Sequence, residues 1–138
     1  MAKILVVEDD EDIRDLVRLL LESGGHELHE AKSGEEGLAQ AKAVRPDLIL
    51  MDLSLAGTID GLESTRRLRA DAAFDQTPII ALTAHAMLGD RERSLGAGCD
   101  EHWTKPIGNL KKFKAMVERV AAEGRAAAAI PNHTHEQI

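Results

Sequence analysis

The sequence predicts one α/β domain built on a doubly wound parallel sheet. Five short β-type runs alternate with segments whose apolar residues recur at helical spacing, which is the pattern of repeated βα units. Three of the five runs are almost continuously apolar, as expected when helices cover both faces of a parallel strand. A chain of 138 residues can bury one ordinary core but is too short for two domains of typical size.

The five predicted strands differ in how apolar they are. KILVVE, DLILMD and PIIAL are the continuous apolar runs, whereas HELHEA is half polar and is typical of a strand at the edge of a sheet. In chain order the predicted strands are KILVVE (3–8), HELHEA (26–31), DLILMD (47–52), PIIAL (78–82) and DEHWT (100–104).

Each predicted helix carries apolar residues on one face, which we expect to pack on the sheet. The first helix ends at the Gly24-Gly25 pair, because glycine commonly terminates helices. The predicted helices span about 11–23, 34–44, 60 onward, 86–97 and 109–123. The apolar seams of helices 1 and 5 consist of Ile13, Leu16, Val17, Leu20 and Leu21, and of Leu110, Phe113, Val117 and Val120.

We assign residues 1–122 to the folded domain. The apolar pattern of the fifth helix stops near this point, and the chain then reads EGRAAAAIPNHTHEQI, which lacks a core-forming pattern. Residues 123–138 are therefore predicted to be an Ala-rich helix extension followed by a loose tail.

Charge and composition exclude several classes of function. The chain has 17 Lys and Arg against 24 Asp and Glu, a net charge of −7, whereas a surface that binds nucleic acid is normally basic. The apolar runs are far shorter than a membrane crossing, and the start MAKILVV has no secretory signal, so we expect a cytoplasmic protein with no membrane or nucleic-acid partner. The single cysteine, Cys99, cannot form an internal disulfide and is assigned no role.

Residues whose side chains could take part in binding or catalysis follow the ends of the predicted strands. In an open parallel sheet, ligands bind beyond the carboxyl ends of the strands, so we expect these residues to converge on one crevice. Strand 1 ends in Glu8-Asp9-Asp10, strand 3 in Asp52, strand 4 in Thr83-Ala84 and strand 5 in Lys105-Pro106.

The acidic turn EDDED after strand 1 predicts a metal site. Like charges about 4 Å apart repel by roughly 4 kcal/mol at an effective dielectric near 20, so this turn would repel a bare phosphate. Clustered carboxylates suit Mg²⁺, which takes one or two carboxylates and also accepts phosphate oxygens. A carboxylate nucleophile, a divalent metal, a lysine and a hydroxyl together suffice for phosphoryl transfer.

Each of these residues also has a purely structural interpretation. Asp9 or Asp10 could cap the first helix, Thr83 could be a strand-end hydroxyl, and Lys105 could only neutralise Asp52. Their joint occurrence at four strand ends favours the functional interpretation.

Four motifs, VVEDD, LILMD with a later DG, PIIALTA and TKPI, resemble the receiver domain of two-component response regulators in order and spacing. The resemblance covers about residues 2–122, and the ALTAHAM and GDRER segments are similar to receivers of phosphorelay systems and hybrid sensor kinases. It implies a flavodoxin-like (βα)5 three-layer sandwich with the sheet order 2-1-3-4-5.

The resemblance also implies a role for each motif residue. Asp52 is the implied phosphoryl acceptor, Glu8 and Asp9 hold Mg²⁺ directly or through water, and the Ser54 backbone carbonyl completes the metal shell. The remaining implied roles are Asp10 as helix cap, Thr83 as ligand and sensor of the phosphoryl group, the Ala84 backbone as a phosphoryl contact, Lys105 as a bridge to a phosphoryl oxygen, and Pro106 in a cis peptide bond.

The sequence departs from the family pattern in two regions. Most receivers have a proline soon after the acceptor, but this chain reads DLSLAGTIDG, with Ala56 and one extra residue before Gly61. The position of the usual aromatic switch residue is His102, with Trp103 beside it. A histidine there could make switching pH-sensitive, or it could serve only packing.

The resemblance implies a sensor histidine kinase or a histidine phosphotransfer protein as the phosphoryl donor. A downstream protein target would bind the face formed by helix 4, strand 5 and helix 5. The sequence leaves open whether the domain is a free regulator or a relay intermediate. It would be no enzyme beyond catalysing its own phosphorylation and dephosphorylation.

Two alternatives belong to other functional classes. A Mg²⁺-dependent phosphohydrolase could use Asp52 as its nucleophile, but such chemistry usually needs a second acidic group soon afterwards, and the residue two positions on is Ser54. A flavodoxin-like cofactor binder would need a glycine-rich or hydroxyl-rich phosphate loop, which the EDDED turn is not.

Overall fold

Five parallel strands form one sheet in the order β2-β1-β3-β4-β5. The computed structural model describes residues 2–55, 57–84 and 90–125. The order agrees with the predicted 2-1-3-4-5, and the half-polar strand β2 lies at an edge as expected. The strands are β1 (Lys3–Val7), β2 (Glu27–Ala31), β3 (Leu48–Asp52), β4 (Ile79–Thr83) and β5 (Glu101–Thr104).

The helices alternate with the strands as predicted. Asp10 caps the first of them, because its side chain accepts hydrogen bonds from the backbone N–H groups of Asp12 and Ile13. A short 3₁₀ turn, Ala72–Phe74, follows the third helix and was not expected. The helices are α1 (Glu11–Glu22), α2 (Gly34–Val44), α3 (Gly61–Arg69), α4 (Asp90–Ala97) and α5 (Leu110–Glu123).

Alternate residues of the strands pack into two separate hydrophobic cores, one on each face of the sheet. The first core joins the sheet to α1 and α5, and the second joins it to α2 and α3, so the domain has three layers. Fully buried members of the first core are Ile4, Val6, Leu48, Leu50, Ile80 and Leu82, and those of the second are Leu5, Val7, Ile49, Met51, Ile79 and Ala81. Both faces of β1, β3 and β4 are thus covered, which explains their continuous apolar runs.

Two residues of the predicted helical seams do not face the core. Leu16 of α1 is 38% exposed and Leu110 of α5 is 40% exposed. Each lies at the rim of its apolar stripe, and neighbouring members such as Val17 and Phe113 fill the core instead. The prediction that Leu16 and Leu110 point inward was therefore wrong.

Part of the sequence prediction lies outside the described residues. Positions 86–89 of the predicted fourth helix are not among them, nor are residues 126–138 of the predicted tail. The proposed boundary between domain and tail stays a prediction. Within the described ranges, no helix has the length and apolar character needed to cross a membrane.

Candidate functional site

Three carboxylates meet at the carboxyl end of the sheet. Strands β1 and β3 are neighbours and pair Val7 with Met51, so the residues that follow, Glu8 and Asp52, are placed side by side. One ligand oxygen from each of Glu8, Asp9 and Asp52 lies within 4.8 Å of the others. Glu8 and Asp52 are buried while Asp9 is exposed, so the cluster opens to solvent on the Asp9 side.

Lys105 joins this cluster from two strands away. Its backbone N–H donates to the Thr83 carbonyl, which continues the pairing of β5 with β4 beyond the last strand residue. The side chain then reaches across the sheet, where Nζ lies 2.9 Å from Glu8 Oε1 and 3.2 Å from Asp52 Oδ1. The peptide bond between Lys105 and Pro106 is cis, as the motif implied.

Burial and like charge shape the electrostatics of the cluster. Burial raises the pKa of Glu8 to about 7, with the neighbouring Asp52 adding to the rise and Lys105 opposing it. Burial alone would lower the pKa of Lys105, but its bonds to Glu8 and Asp52 outweigh burial and raise that pKa. Lys105 therefore remains an ammonium at neutral pH, and one lysine faces three carboxylates.

This arrangement fits a hard divalent cation. Carboxylate oxygens are the donors that Mg²⁺ and Ca²⁺ prefer, and Lys105 supplies a single positive charge to the buried pair Glu8 and Asp52. Glu8, Asp9 and Asp52 could bind such an ion with Asp9 at the solvent side.

Gly61 sets how closely α3 approaches Asp52. A Cβ at position 61 would overlap with the Asp52 carbonyl oxygen and would lie 2.8 Å from the Leu53 Cα. The Ser54 backbone N–H donates to Asp52 Oδ1 over 3.0 Å, so the turn after β3 also orients the carboxylate. The Asp52 carboxylate is thus oriented by its own turn, and the backbone of Asp52 leaves no room for a side chain at position 61.

Thr83 and Ala84 lie next to the cluster along the sheet. Asp52 is paired with Leu82, so buried Thr83 is one residue beyond that pair on the adjacent strand, and Ala84 follows it at the surface. Ser54 is exposed two residues after Asp52. The predicted phosphoryl contacts of Thr83 and Ala84, and the predicted metal contact of the Ser54 carbonyl, stay predictions.

His102, which occupies the position of the usual aromatic switch, and its neighbour Trp103 have different environments. Trp103 lies in the first core, where it makes an edge-to-face contact with Phe113 at 5.3 Å, and its Nε1 donates to the Ile107 carbonyl. His102 is 9% exposed and pairs with Ala81 in the sheet. Trp103 is therefore a fixed core residue, and the switch role of His102 stays a prediction.

Arg14 was missed by the sequence analysis although it contacts the site. Its side chain is buried, and Nη1 donates to the backbone carbonyl of Glu8 over 2.9 Å. Residues 14, 17 and 21 share one helical face, and Val17 and Leu21 are both core residues. A charged residue at an inward position of the apolar stripe is the signal that would have identified it.

Raising the pH from 4.5 to 7 is expected to destabilise the Mg²⁺-free protein through Glu8. Folding raises the pKa of this carboxyl from 4.5 to about 7, so the folded chain retains a proton that the unfolded chain releases in this window. The contribution of this proton to the free energy of unfolding is fully present below pH 4.5 and is lost as the pH rises through 7. The change amounts to about 3 kcal/mol. Urea denaturation in EDTA at a series of pH values measures it.

The matched control is Glu8→Gln, which keeps the shape of the side chain but cannot ionise. Its free energy of unfolding should lack this part of the pH dependence. Parallel curves for the two proteins would show that Glu8 does not titrate in this window.

Comparison with known proteins links this geometry to one family. The family model for the response regulator receiver domain matches residues 4–118. The polar-differentiation response regulator DivK of Brucella anthropi is 43% identical over 104 residues, which is 75% of this chain and 84% of DivK.

Solved structures show the same similarity in three dimensions. The chemotaxis response regulator CheY4 of Vibrio cholerae has a TM-score of 0.80 at 30% identity, covering 87% of this chain and 98% of that one. The receiver domain of the sensor histidine kinase PA1611 of Pseudomonas aeruginosa has a TM-score of 0.80 at 34% identity, covering 88% and 98%. That receiver holds a magnesium ion in its active-site cleft.

Proposed function

Because this chain belongs to the response regulator receiver domain family, we propose that Asp52 accepts a phosphoryl group and that the added group changes which proteins the domain binds. Receiver domains are signalling proteins, and their output is a binding event. The observation that carries the assignment is the environment of Asp52, a buried carboxylate that contacts Lys105 and lies beside Glu8 and Asp9.

The residues around Asp52 prepare it as a nucleophile. Lys105 Nζ and the Ser54 N–H both contact Oδ1, which fixes the orientation of the carboxylate. A carboxylate oxygen of Asp52 attacks the phosphorus of the donor, the new P–O bond forms, and the donor leaves with the electron pair of the broken bond. Lys105 then offsets charge on the transferred group.

We assign Mg²⁺ to the oxygens of Glu8, Asp9 and Asp52, with the Ser54 carbonyl as a further ligand. Bound there, Mg²⁺ would neutralise charge on the phosphoryl oxygens as it develops. The clustered carboxylate oxygens support this assignment, as does the magnesium in the related PA1611 receiver. The protein's chemistry is limited to its own phosphorylation and dephosphorylation.

The phosphorylated state is proposed to be sensed by the end of β4. The Thr83 hydroxyl and the Ala84 backbone would contact the phosphoryl group, and Thr83 is already buried beside the Asp52 strand. The resulting conformational change at the end of β4 would extend to the neighbouring strand β5, whose His102 occupies the position of the usual switch residue.

The proposed phosphoryl donor is a sensor histidine kinase or a histidine phosphotransfer protein, so we assign the domain to the cytoplasm. Such a donor has to reach the carboxyl end of the sheet, where α1 and α5 begin. The exposed leucines of these helices are Leu16 and Leu19 of α1 and Leu110 of α5, and they offer apolar surface to a protein donor.

A downstream target is proposed to bind the face formed by α4, β5 and α5. A groove of about 330 Å³ lies between β5 and α5. Its apolar residues are flanked by two cationic side chains, so a partner segment that combines acidic and apolar residues would fit it. The groove is lined by Trp103, Lys112, Ala115, Met116 and Arg119.

The phosphohydrolase alternative has no support. The family and structural relatives are receivers, and the position two residues after Asp52 is Ser54, whose backbone N–H serves to orient the carboxylate. That position holds no second acid to act as general acid-base.

The proposed function is tested with a small acyl-phosphate donor. In Mg²⁺, intact mass spectrometry is expected to show one added phosphoryl group, which EDTA prevents and hydroxylamine removes, since hydroxylamine cleaves acyl phosphates. Steady turnover of the donor without a covalent adduct would instead favour the phosphohydrolase. Absence of any adduct at saturating donor and Mg²⁺ would contradict the proposal.

A further inference from the structure

Arg14 is a buried charged residue that neither the motif pattern nor the proposed chemistry uses. An arginine remains protonated under all ordinary conditions, so burying it is costly unless its donors are satisfied. Its side chain is 8% exposed, and it lies in the second turn of α1 on the face that packs against the sheet. The hydrogen-bond partners of Arg14 should therefore explain why this charged side chain is buried.

The guanidinium of Arg14 links β2 to the acidic turn that follows β1. Nε donates to Glu30 Oε1 of β2 over 2.9 Å, and Nη1 donates to the Glu8 carbonyl over 2.9 Å. The second oxygen of Glu30 accepts from Arg18, one turn further along α1. Glu30 thus orients Arg14, and Arg14 contacts the backbone of the site.

The contact with Arg14 satisfies the backbone carbonyl of Glu8. The Glu8 N–H donates to the Ala31 carbonyl at the end of β2. The Glu8 carboxylate forms an ion pair with Lys105 and accepts a hydrogen bond from the Asp10 N–H. The carbonyl oxygen lies beyond the last strand residue of β1, where the ladder ends, and Arg14 is its partner. The backbone N–H and the backbone carbonyl of Glu8 are thus both hydrogen-bonded.

We propose that Arg14 is a positioning residue for the acidic turn. By fixing the Glu8 carbonyl, it sets the direction of the peptide that leads into Asp9, and so holds the Glu8 and Asp9 carboxylates in the arrangement that binds the divalent cation. This inference rests on the proposed function, because the cation and the acceptor are those assigned above. Partners that orient metal ligands typically change metal affinity by about 10-fold to 100-fold when they are lost.

The test compares Arg14→Gln with Arg18→Gln. Both substitutions remove a charged contact to Glu30, but only the first removes the bond to the Glu8 carbonyl. Isothermal titration calorimetry of the unphosphorylated proteins should show a Kd for Mg²⁺ about tenfold weaker in Arg14→Gln. In Mg²⁺-free protein, the amide protons of Asp9 and Asp10 should exchange faster in Arg14→Gln, while Arg18→Gln resembles the wild type in both measurements.

Equal Mg²⁺ affinity in the two variants, or unchanged amide exchange in Arg14→Gln, overturns the inference. If Arg14→Gln lacks a cooperative unfolding transition, Arg14→Lys and Arg18→Lys replace the pair under the same two criteria. Wild-type protein that binds Mg²⁺ but accepts no phosphoryl group overturns the proposed function alone, and the two measurements still decide the role of Arg14. Wild-type protein that binds no Mg²⁺ overturns both.

Discussion

Replacing Lys105 with methionine is expected to lower the free energy of unfolding of the Mg²⁺-free protein by about 3 kcal/mol at pH 8. The substitution keeps the aliphatic stem but removes the cation that contacts Glu8 at 2.9 Å and Asp52 at 3.2 Å. Two buried carboxylates would then repel each other without a compensating charge. Urea denaturation in EDTA measures the effect.

Added Mg²⁺ should restore more stability to Lys105→Met than to the wild type, because the cation would supply the charge that the lysine provided. Lys42→Met is the matched control, since Lys42 is an exposed residue of α2, and its stability should stay within about 0.5 kcal/mol of the wild type. A Lys105→Met protein as stable as this control in EDTA would contradict the electrostatic account of the site.

Replacing Gly61 with alanine is expected to cost about 3 kcal/mol of stability and to slow phosphoryl acceptance by Asp52. The added methyl carbon would overlap with the Asp52 carbonyl oxygen, and backbone atoms cannot relieve such an overlap by a rotamer change. Either α3 must move outward or the backbone of Asp52 must shift. Thermal unfolding and the rate of adduct formation report these two consequences.

Gly96→Ala is the control for this substitution. Gly96 lies within α4, and a Cβ added there meets nothing within 4 Å. Alanine is favoured over glycine in a helix, so this variant should be more stable by about 0.5–1 kcal/mol and should form the adduct at the wild-type rate. If Gly61→Ala matched Gly96→Ala in both measurements, the close packing of α3 on Asp52 would be wrong.

The strands and the location of the site could be predicted because both depend on local patterns. Continuous apolar runs in β1, β3 and β4 reflect burial on two faces, and the polar residues that follow them must meet at one edge of a parallel sheet. The convergence of Glu8, Asp9 and Asp52 with Lys105 was predictable on these grounds. The strand order, by contrast, came from the family resemblance.

Features that depend on packing between elements could not be predicted from spacing. Helical periodicity identifies the apolar stripe of a helix but not where that stripe ends. Leu16 and Leu110 were therefore expected in the core, although both are exposed. The contact of Arg14 with Glu8 depends on how α1 lies on the sheet, and the close approach of Gly61 depends on the path of the lengthened turn before α3.

The identity of the acceptor is tested most directly by comparing the wild type with Asp52→Asn after incubation with Mg²⁺ and an acyl-phosphate donor. The asparagine would keep the size of the side chain but lack the nucleophilic carboxylate, so intact mass should show one added phosphoryl group on the wild type and none on the variant. Asp60→Asn, which alters the cap of α3, controls for a nonspecific effect of losing an aspartate and should still form the adduct. An adduct of equal yield on Asp52→Asn would contradict the assignment of Asp52.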